Sequence, residues 1–229
     1  MKRYINIENV DVYYTLILKK KKNISIKIDL NGDIVVYAPI GIDDSYIENL
    51  LIKKKKWIIK NINIIKNNPY NSNDNIIFLG NKYTIKIEIS QKESICLDNE
   101  IIYIKSKSKD DKYIQNMLVS WYKEQAKIIL VNKANIISEK CKLFPTKIII
   151  KDQKSRWGSC NIRKEIRLNW RLILMPNNVM EYIIIHELCH LKIMNHSNEF
   201  WRLVKKYIPN YKECHIWLNQ NGRSLISIK

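Results

Sequence analysis

The stretch "IIIHELCHLKIMNHSNEFW", residues 183 to 201, places three of the chain's four histidines within eleven residues. It overlaps a run from Asn178 to Met194 that is strongly apolar and free of Gly and Pro. That pattern predicts a buried helix, preceded by Pro176 and N-capped by Asn177. On such a helix His186 and His190, four residues apart, stand one turn from each other on one face, so both imidazoles can bind one ion. Glu187 follows the first histidine, where its carboxylate can reach a water on the metal without itself binding the metal.

A catalytic zinc takes three protein ligands and keeps a fourth position open. His196, six residues beyond His190, is the candidate third ligand, and Glu199 is its rival. A helix continued past Met194 would swing residue 196 off the His190 face, so the helix is expected to end, with Asn195 in the left-handed conformation. Ser197 would then cap a second helix, "NEFWRLVKKYI", that stops before Pro209. Glu199 would fall in its first turn, where a carboxylate also satisfies the helix dipole, and this favours His196 as the ligand. A lone histidine on an apolar helix is usually a core residue, whereas three at ligand spacing beside a glutamate point to a metal. Cys189, between the first two histidines, is read as packing, and Ile183, Ile184 and Ile185 as the dry surround of the site.

The formal charge of +18 suggests anionic partners, but Ile, Lys, Asn and Tyr are all abundant, so lysine runs such as Lys19–Lys22 and Lys53–Lys56 read first as solvated faces. Arginine is distributed differently. Of seven, only Arg3 lies outside the last third, and Arg156, Arg163, Arg167 and Arg171 fall within sixteen residues, which hints at fixed bidentate geometry. Five scattered cysteines without a C-x-x-C pair argue against a disulfide framework and for a reducing compartment. The first residues show no secretory signal and no run long enough to span a membrane, so a cytoplasmic location is expected.

The fold class expected is α+β. Alternating "NISIKIDL" and "DIVVYAP" flank Asn31-Gly32 and read as an antiparallel hairpin, followed by one amphipathic helix in "DDSYIENLLIKKKKWIIKNINIIK" and a polar loop at residues 67 to 75. Further hairpins are expected to turn at Gly80-Asn81 and Asp98-Asn99. A long helix begins near residue 110, which places a boundary at "KSKSKDD" between a β-rich domain, 1–108, and a second domain, 109–229. There "TKIIIKD" and "IRLNWRLIL" read as strands of a small antiparallel sheet beside the histidine helix, with "QKSRWGSCNIRKE" as a turn region. No internal repeat is visible.

"SRWGSC", "IRLNWRLILMP", "YIIIHELCHLKIMNHSNEFW" and "PNYKECHIWL" occur in this order, after "GDIVVYAPIG", "KKKKWI", "FLGNKYTI" and "VSWYKEQA". In these phrases the chain resembles the YgjP-like metallopeptidase family, a zincin-type group similar to the SprT-like zinc proteases. The resemblance covers nearly the whole chain. It implies a zincin-like catalytic domain, one zinc ion on His186, His190 and His196, Glu187 as catalytic base, and "IRLNWRLIL" as an edge strand to which a peptide could add. The His190 to His196 spacing equals that of metzincins, but Ile193 stands where they carry glycine, which disfavours that group. Arg156 is a candidate anion or oxyanion contact or a structural partner of Glu181, and Tyr211 and His215 are candidate oxyanion contacts.

The leading expectation is a zinc-dependent hydrolase acting on peptides. One alternative keeps the metal and presents an anionic nucleotide to it, giving a nucleoside triphosphate (UTP-type) pyrophosphatase, on the strength of the clustered arginines. Another is a DNA-associated, SprT-like protease whose basic N-terminal domain binds nucleic acid.

Overall fold

The structure, a computed structural model, describes residues 2–7, 10–28, 33–66 and 75–226. It is an α+β protein that divides into two compact units, Met1–Asn71 and Ser72–Lys229.

The N-terminal unit contains strands β1 (Lys2–Ile7), β2 (Val10–Lys19), β3 (Ser25–Ile28) and β4 (Ile34–Pro39) in the order β1-β2-β4-β3. Both hairpins are antiparallel, but β2 and β4 run parallel at the centre, so the sheet is mixed where antiparallel hairpins were expected. Alternation turns Tyr14, Leu16, Ile34, Val36 and Ala38 to one buried face, closed by Ile47, Leu51 and Ile58 of two helices, α1 (Asp44–Lys53) and α2 (Lys55–Lys66). One helix was expected. The chain leaves helical geometry at Lys54 (φ −97°, ψ 6°), whose N–H donates to the carbonyls of Leu50 and Leu51 at 3.0 and 3.1 Å. The expected Asn31-Gly32 turn and residues 67–74 of the expected loop lie outside the described residues.

The C-terminal unit opens with β5 (Asn75–Phe78), β6 (Asn81–Ile89), β7 (Ser94–Asp98) and β8 (Ile101–Ser106), in the order β5-β6-β8-β7 and again with a parallel central pair. The chain therefore repeats a strand topology without repeating a sequence. The turns occupy Leu79-Gly80 and Asn99-Glu100, one residue away from those expected, with Leu79, Gly80 and Asn99 at φ 52°, 82° and 51°.

This second sheet belongs with the C-terminal unit, so the division falls at residues 71/72 and not near residue 108. Packing explains it. Helix α3 (Asp111–Cys141) starts on Asp110, whose carboxylate accepts from the Tyr113 N–H at 2.9 Å, and buries Ile114, Leu118, Tyr122, Ala126, Leu130 and Ala134 at four-residue spacing. Phe78 of β5 packs on Trp121 with ring centroids 4.9 Å apart, and the Tyr122 hydroxyl donates to the Ile77 carbonyl at 2.8 Å. At the β5–β6 turn the Leu79 N–H donates to the Ile173 carbonyl at 2.6 Å, and a Cβ on Gly80 would lie 2.6 Å from the Pro176 backbone.

A third sheet has the order β10-β11-β9, from β9 (Lys147–Lys151), β10 (Gly158–Cys160) and β11 (Glu165–Asn169). It too is mixed, since β11 runs antiparallel to β10 and parallel to β9. Two expectations are corrected: β10 lies inside the region read as a turn, and β11 is the central strand and no edge. The strand also ends early. Asn169 caps a 3-10 helix, Trp170–Leu174, by accepting from the Arg171 N–H at 3.2 Å. Three helices follow, α4 (Asn177–Cys189), α5 (Asn198–Tyr207) and α6 (Tyr211–Ile226). Pro176, and not Asn177, is the cap residue of α4; its carbonyl accepts from Val179 and Met180 at 3.0 Å each, while the Asn177 amide donates to Glu181 at 3.0 Å. Among the described residues no helix is long and apolar enough to cross a membrane.

Two of the clustered arginines are architectural. Arg171 is buried over the Trp170 ring, 4.3 Å from its centroid, and bonds the Asp152 carboxylate at 2.6 Å, which Lys123 also meets at 2.9 Å. Arg167 pairs with Glu165 at 3.2 Å. Burial opposes ionisation of Asp152, yet Arg171 and Lys123 hold its carboxyl at about 2. A carboxyl held below its unfolded value contributes stability that is present above about pH 4 and lost as pH falls towards about 2. Asp152→Asn is therefore expected to lower the urea midpoint above pH 4 and to flatten its pH dependence between about pH 4 and about pH 2, as urea titrations across that range would check.

Candidate metal centre

Helix α4 is apolar on nearly every side and is packed by α3, α5, α6 and β10. His186 and Glu187 lie in its last turn and His190 caps it. The helix ends at Cys189, five residues before the expected end at Met194. The Leu191 and Lys192 N–H groups tighten the exit by donating to Leu188 and Cys189 at 3.0 and 3.1 Å, and His190 Nδ1 donates to the Ile193 carbonyl at 2.9 Å. Asn195 does not take the left-handed conformation that the sequence predicts. Its side-chain oxygen accepts from the Ser197 N–H at 3.3 Å, and the Ser197 hydroxyl caps α5 by accepting from Phe200 at 3.4 Å.

This exit brings His196 back to the helix face. His186 Nε2 lies 3.3 Å from His190 Nε2 and 3.0 Å from His196 Nε2, and one ligand atom of each of the three lies within 4.8 Å of the others. Because a carbonyl can only accept, the bond from His190 Nδ1 to Ile193 leaves the lone pair of His190 on Nε2, aimed at the other two rings. A tetrahedral ion about 2.0–2.1 Å from each nitrogen would set them about 3.3–3.4 Å apart, so the observed spacing fits one ion of zinc's size. Glu199 stands exposed in the first turn of α5, outside this group.

The rings are walled by aromatic side chains from α5 that the spacing of the histidines did not reveal. Phe200 stacks on His190 with centroids 4.4 Å apart and Trp201 lies over His196 at 5.8 Å. Burial pushes the His186 imidazole down to about 3, and His190, His196 and His215 add to the shift, so the protonated form that would compete with metal binding is disfavoured at His186.

Glu187 is 6% exposed. Burial raises its carboxyl to about 8, with the Arg156 charge opposing. Its space is made by Gly158, where a Cβ would sit 2.6 Å from both Cγ and Oε1 of Glu187. This gives "SRWGSC" a physical reason: Gly158 makes no tight turn but starts β10 where the strand lies against the Glu187 carboxylate. The preceding loop is held by Asn169, fully buried, whose amide donates to the carbonyls of Gln153 and Arg156 at 2.8 and 3.0 Å, while its own N–H donates to Trp157 at 2.8 Å. Trp157 in turn lies 3.4 Å from where a Cβ on Gly222 of α6 would be.

Arg156 is exposed and is not the partner of Glu181, whose carboxylate is taken by Lys133 at 2.8 Å and by Asn177. Tyr211 stacks between Trp201 and Tyr182, at 5.3 and 6.4 Å, and His215 follows one turn later on α6, its charge felt at His186.

Convergent imidazoles beside a shielded carboxylate define the class of metal-dependent hydrolases. The family profile described as YgjP-like, metallopeptidase domain, matches residues 22–221, and the chain belongs to that family of metallopeptidases. Two solved structures are similar over part of the chain. The metallopeptidase zymogen of Methanocaldococcus jannaschii jannalysin is 26% identical, covers 40% of this chain and 94% of its own, and has a TM-score of 0.36. That of Pyrococcus abyssi abylysin is 25% identical, covers 41% and 96%, and has a TM-score of 0.37. No curated protein matches the chain.

If Gly158 clears the space for Glu187, Gly158→Ala should leave metal uptake intact and lower turnover about a hundred-fold. Metal analysis paired with a peptide-cleavage assay checks it, and unchanged turnover would refute the role given to Gly158.

Proposed function

We propose that this protein is a zinc-dependent peptidase in which His186, His190 and His196 hold the ion and Glu187 is the general base. The observation that carries this reading is the convergence of three imidazole nitrogens, two of them 3.3 and 3.0 Å from the third, with the buried Glu187 next in sequence to His186. A three-imidazole donor set with one open position suits zinc. When bound, the ion would polarise the scissile carbonyl, acidify a water and draw the Glu187 carboxyl downward.

Glu187 takes the proton of the attacking water and returns it to the departing amine. Burial against Gly158 keeps its protonated form accessible near neutrality, which favours the return step. Tyr211 and His215, four residues apart on α6, border the His186 side of the site and supply candidate oxyanion donors, and the exposed guanidinium of Arg156 supplies a cation near Glu187.

A peptide can approach by strand pairing, but on β10 and not on β11. Asn161 N–H donates to Glu165 and Asn169 N–H donates to Trp157, so residues 157, 159 and 161 turn their backbone groups towards β11. Gly158 and Cys160 turn theirs to the outer edge, next to Glu187. An extended substrate added there would run past the carboxylate.

The nucleotide reading loses half of the arginine cluster that prompted it, because Arg171 and Arg167 are paired with Asp152 and Glu165. At the metal centre no observation favours nucleic acid.

Glu187→Gln should retain the metal and lower peptide turnover at least a hundred-fold, whereas His190→Ala should lose both. Metal content and cleavage of casein-derived peptides, with nucleoside triphosphates assayed beside them, test the proposal. Full activity in Glu187→Gln removes the residue from the base role, and triphosphate hydrolysis without peptide cleavage removes the peptidase reading.

A further inference from the structure

The outer face of the N-terminal sheet carries a cluster that metal chemistry does not explain. With Tyr14, Leu16, Ile34 and Val36 turned to the core, the alternate residues Tyr13, Lys19 and Tyr37 face the other way. Tyr4 and Tyr13 are cross-strand partners with ring centroids 6.0 Å apart, and they remain 63% and 69% exposed. Further along the face the ammonium groups of Lys19, Lys21 and Lys27 surround the Tyr37 ring at 5.1, 5.9 and 5.4 Å from its centroid. Among the described residues no carboxylate forms an ion pair with any of these three lysines. Three like charges gathered on one ring repel one another, and an anion placed among them would relieve that repulsion.

We infer that this face binds single-stranded nucleic acid, with bases stacked on Tyr4 and Tyr13 and phosphates among Lys19, Lys21 and Lys27. The two halves of the patch select the partner together. Cations alone would suit any polyanion, but two solvent-facing rings beside them call for planar groups carried on the same anionic chain. An acidic peptide offers the charge without the planar groups. The scale also agrees: Tyr13 lies four residues before Ile17, the register partner of Tyr37, so rings and cations are roughly 14 Å apart, a few nucleotides of a single strand. The net charge of +18 would speed the encounter. This inference is independent of the reading of the metal centre.

The test is fluorescence anisotropy of the full-length protein with labelled oligo-dT and oligo-U of about 20 nucleotides, a length that exceeds one binding site. Saturable, salt-weakened binding is expected, and the DNA and RNA arms tell which strand is preferred. Tyr4→Ala with Tyr13→Ala should weaken it roughly ten- to a hundred-fold, while the two Tyr→Phe changes preserve it. Lys19→Gln with Lys27→Gln should reduce the log–log salt slope by about 1.4. Unchanged circular dichroism and an unchanged urea midpoint in these variants show that they fold. No saturable binding at low salt overturns the inference. So does binding that ignores the loss of both rings and is competed equally by poly-glutamate.

Discussion

At the metal centre a helix and a strand approach so closely that one of them can carry no side chain. Glu187 on α4 fills the volume that a Cβ at Gly158 would occupy, so β10 can lie this close to the helix, and burial raises the Glu187 carboxyl. The elements around it keep the approach from relaxing. Asn169 ties down three backbone groups of residues 153–157, and Trp157 is backed by Gly222 of α6. In the general-base role proposed for Glu187, a carboxylate held this way needs little reorganisation when a substrate arrives.

Most of the site was legible because it is written in local spacing. His186 and His190 fall one turn apart on any helix, and Ser197 caps α5 as its position before "NEFW" implies. What escaped was tertiary. The end of α4 is set by a bond from the His190 ring to the Ile193 carbonyl, which periodicity cannot show, and Gly158 reads as a turn unless the side chain facing it is known. Phe200 and Trp201 sit inside the quoted motif, so the signal for the aromatic wall was present, but a helix-face argument alone does not say which rings lie on which imidazoles.

The fold class was equally legible and its topology was not. Hairpin chemistry identifies strands that pair with their neighbours in sequence; it is silent on how two hairpins join, and in both four-stranded sheets they join through a parallel pair. The unit boundary was misplaced for the same reason. A change from strand to helix pattern near residue 110 marks a change of element, whereas Phe78 on Trp121 and Tyr122 on Ile77 show that the sheet before it and the helix after it share one core. The arginine cluster teaches a related caution. Fixed guanidinium geometry was a fair inference, and Arg171 meets it by bracing Asp152 and Trp170, inside the fold.

The three histidines are held unequally, and this bears on how a metal would be taken up. His190 is buried, bonded to its own turn and stacked on Phe200; His186 is half-buried on a rigid helix. His196 is exposed in the link between α4 and α5, and its ring rests on Trp201. Two of the proposed ligands are thus preorganised by the core, while the third depends on the packing of α5. An ion that bound all three would fasten α5 to α4 through His196, so metal affinity and the stability of α5 are thermodynamically linked. On that proposal the aromatic wall on α5 is more than a hydrophobic screen, because Phe200 and Trp201 are what the His196 ring rests on.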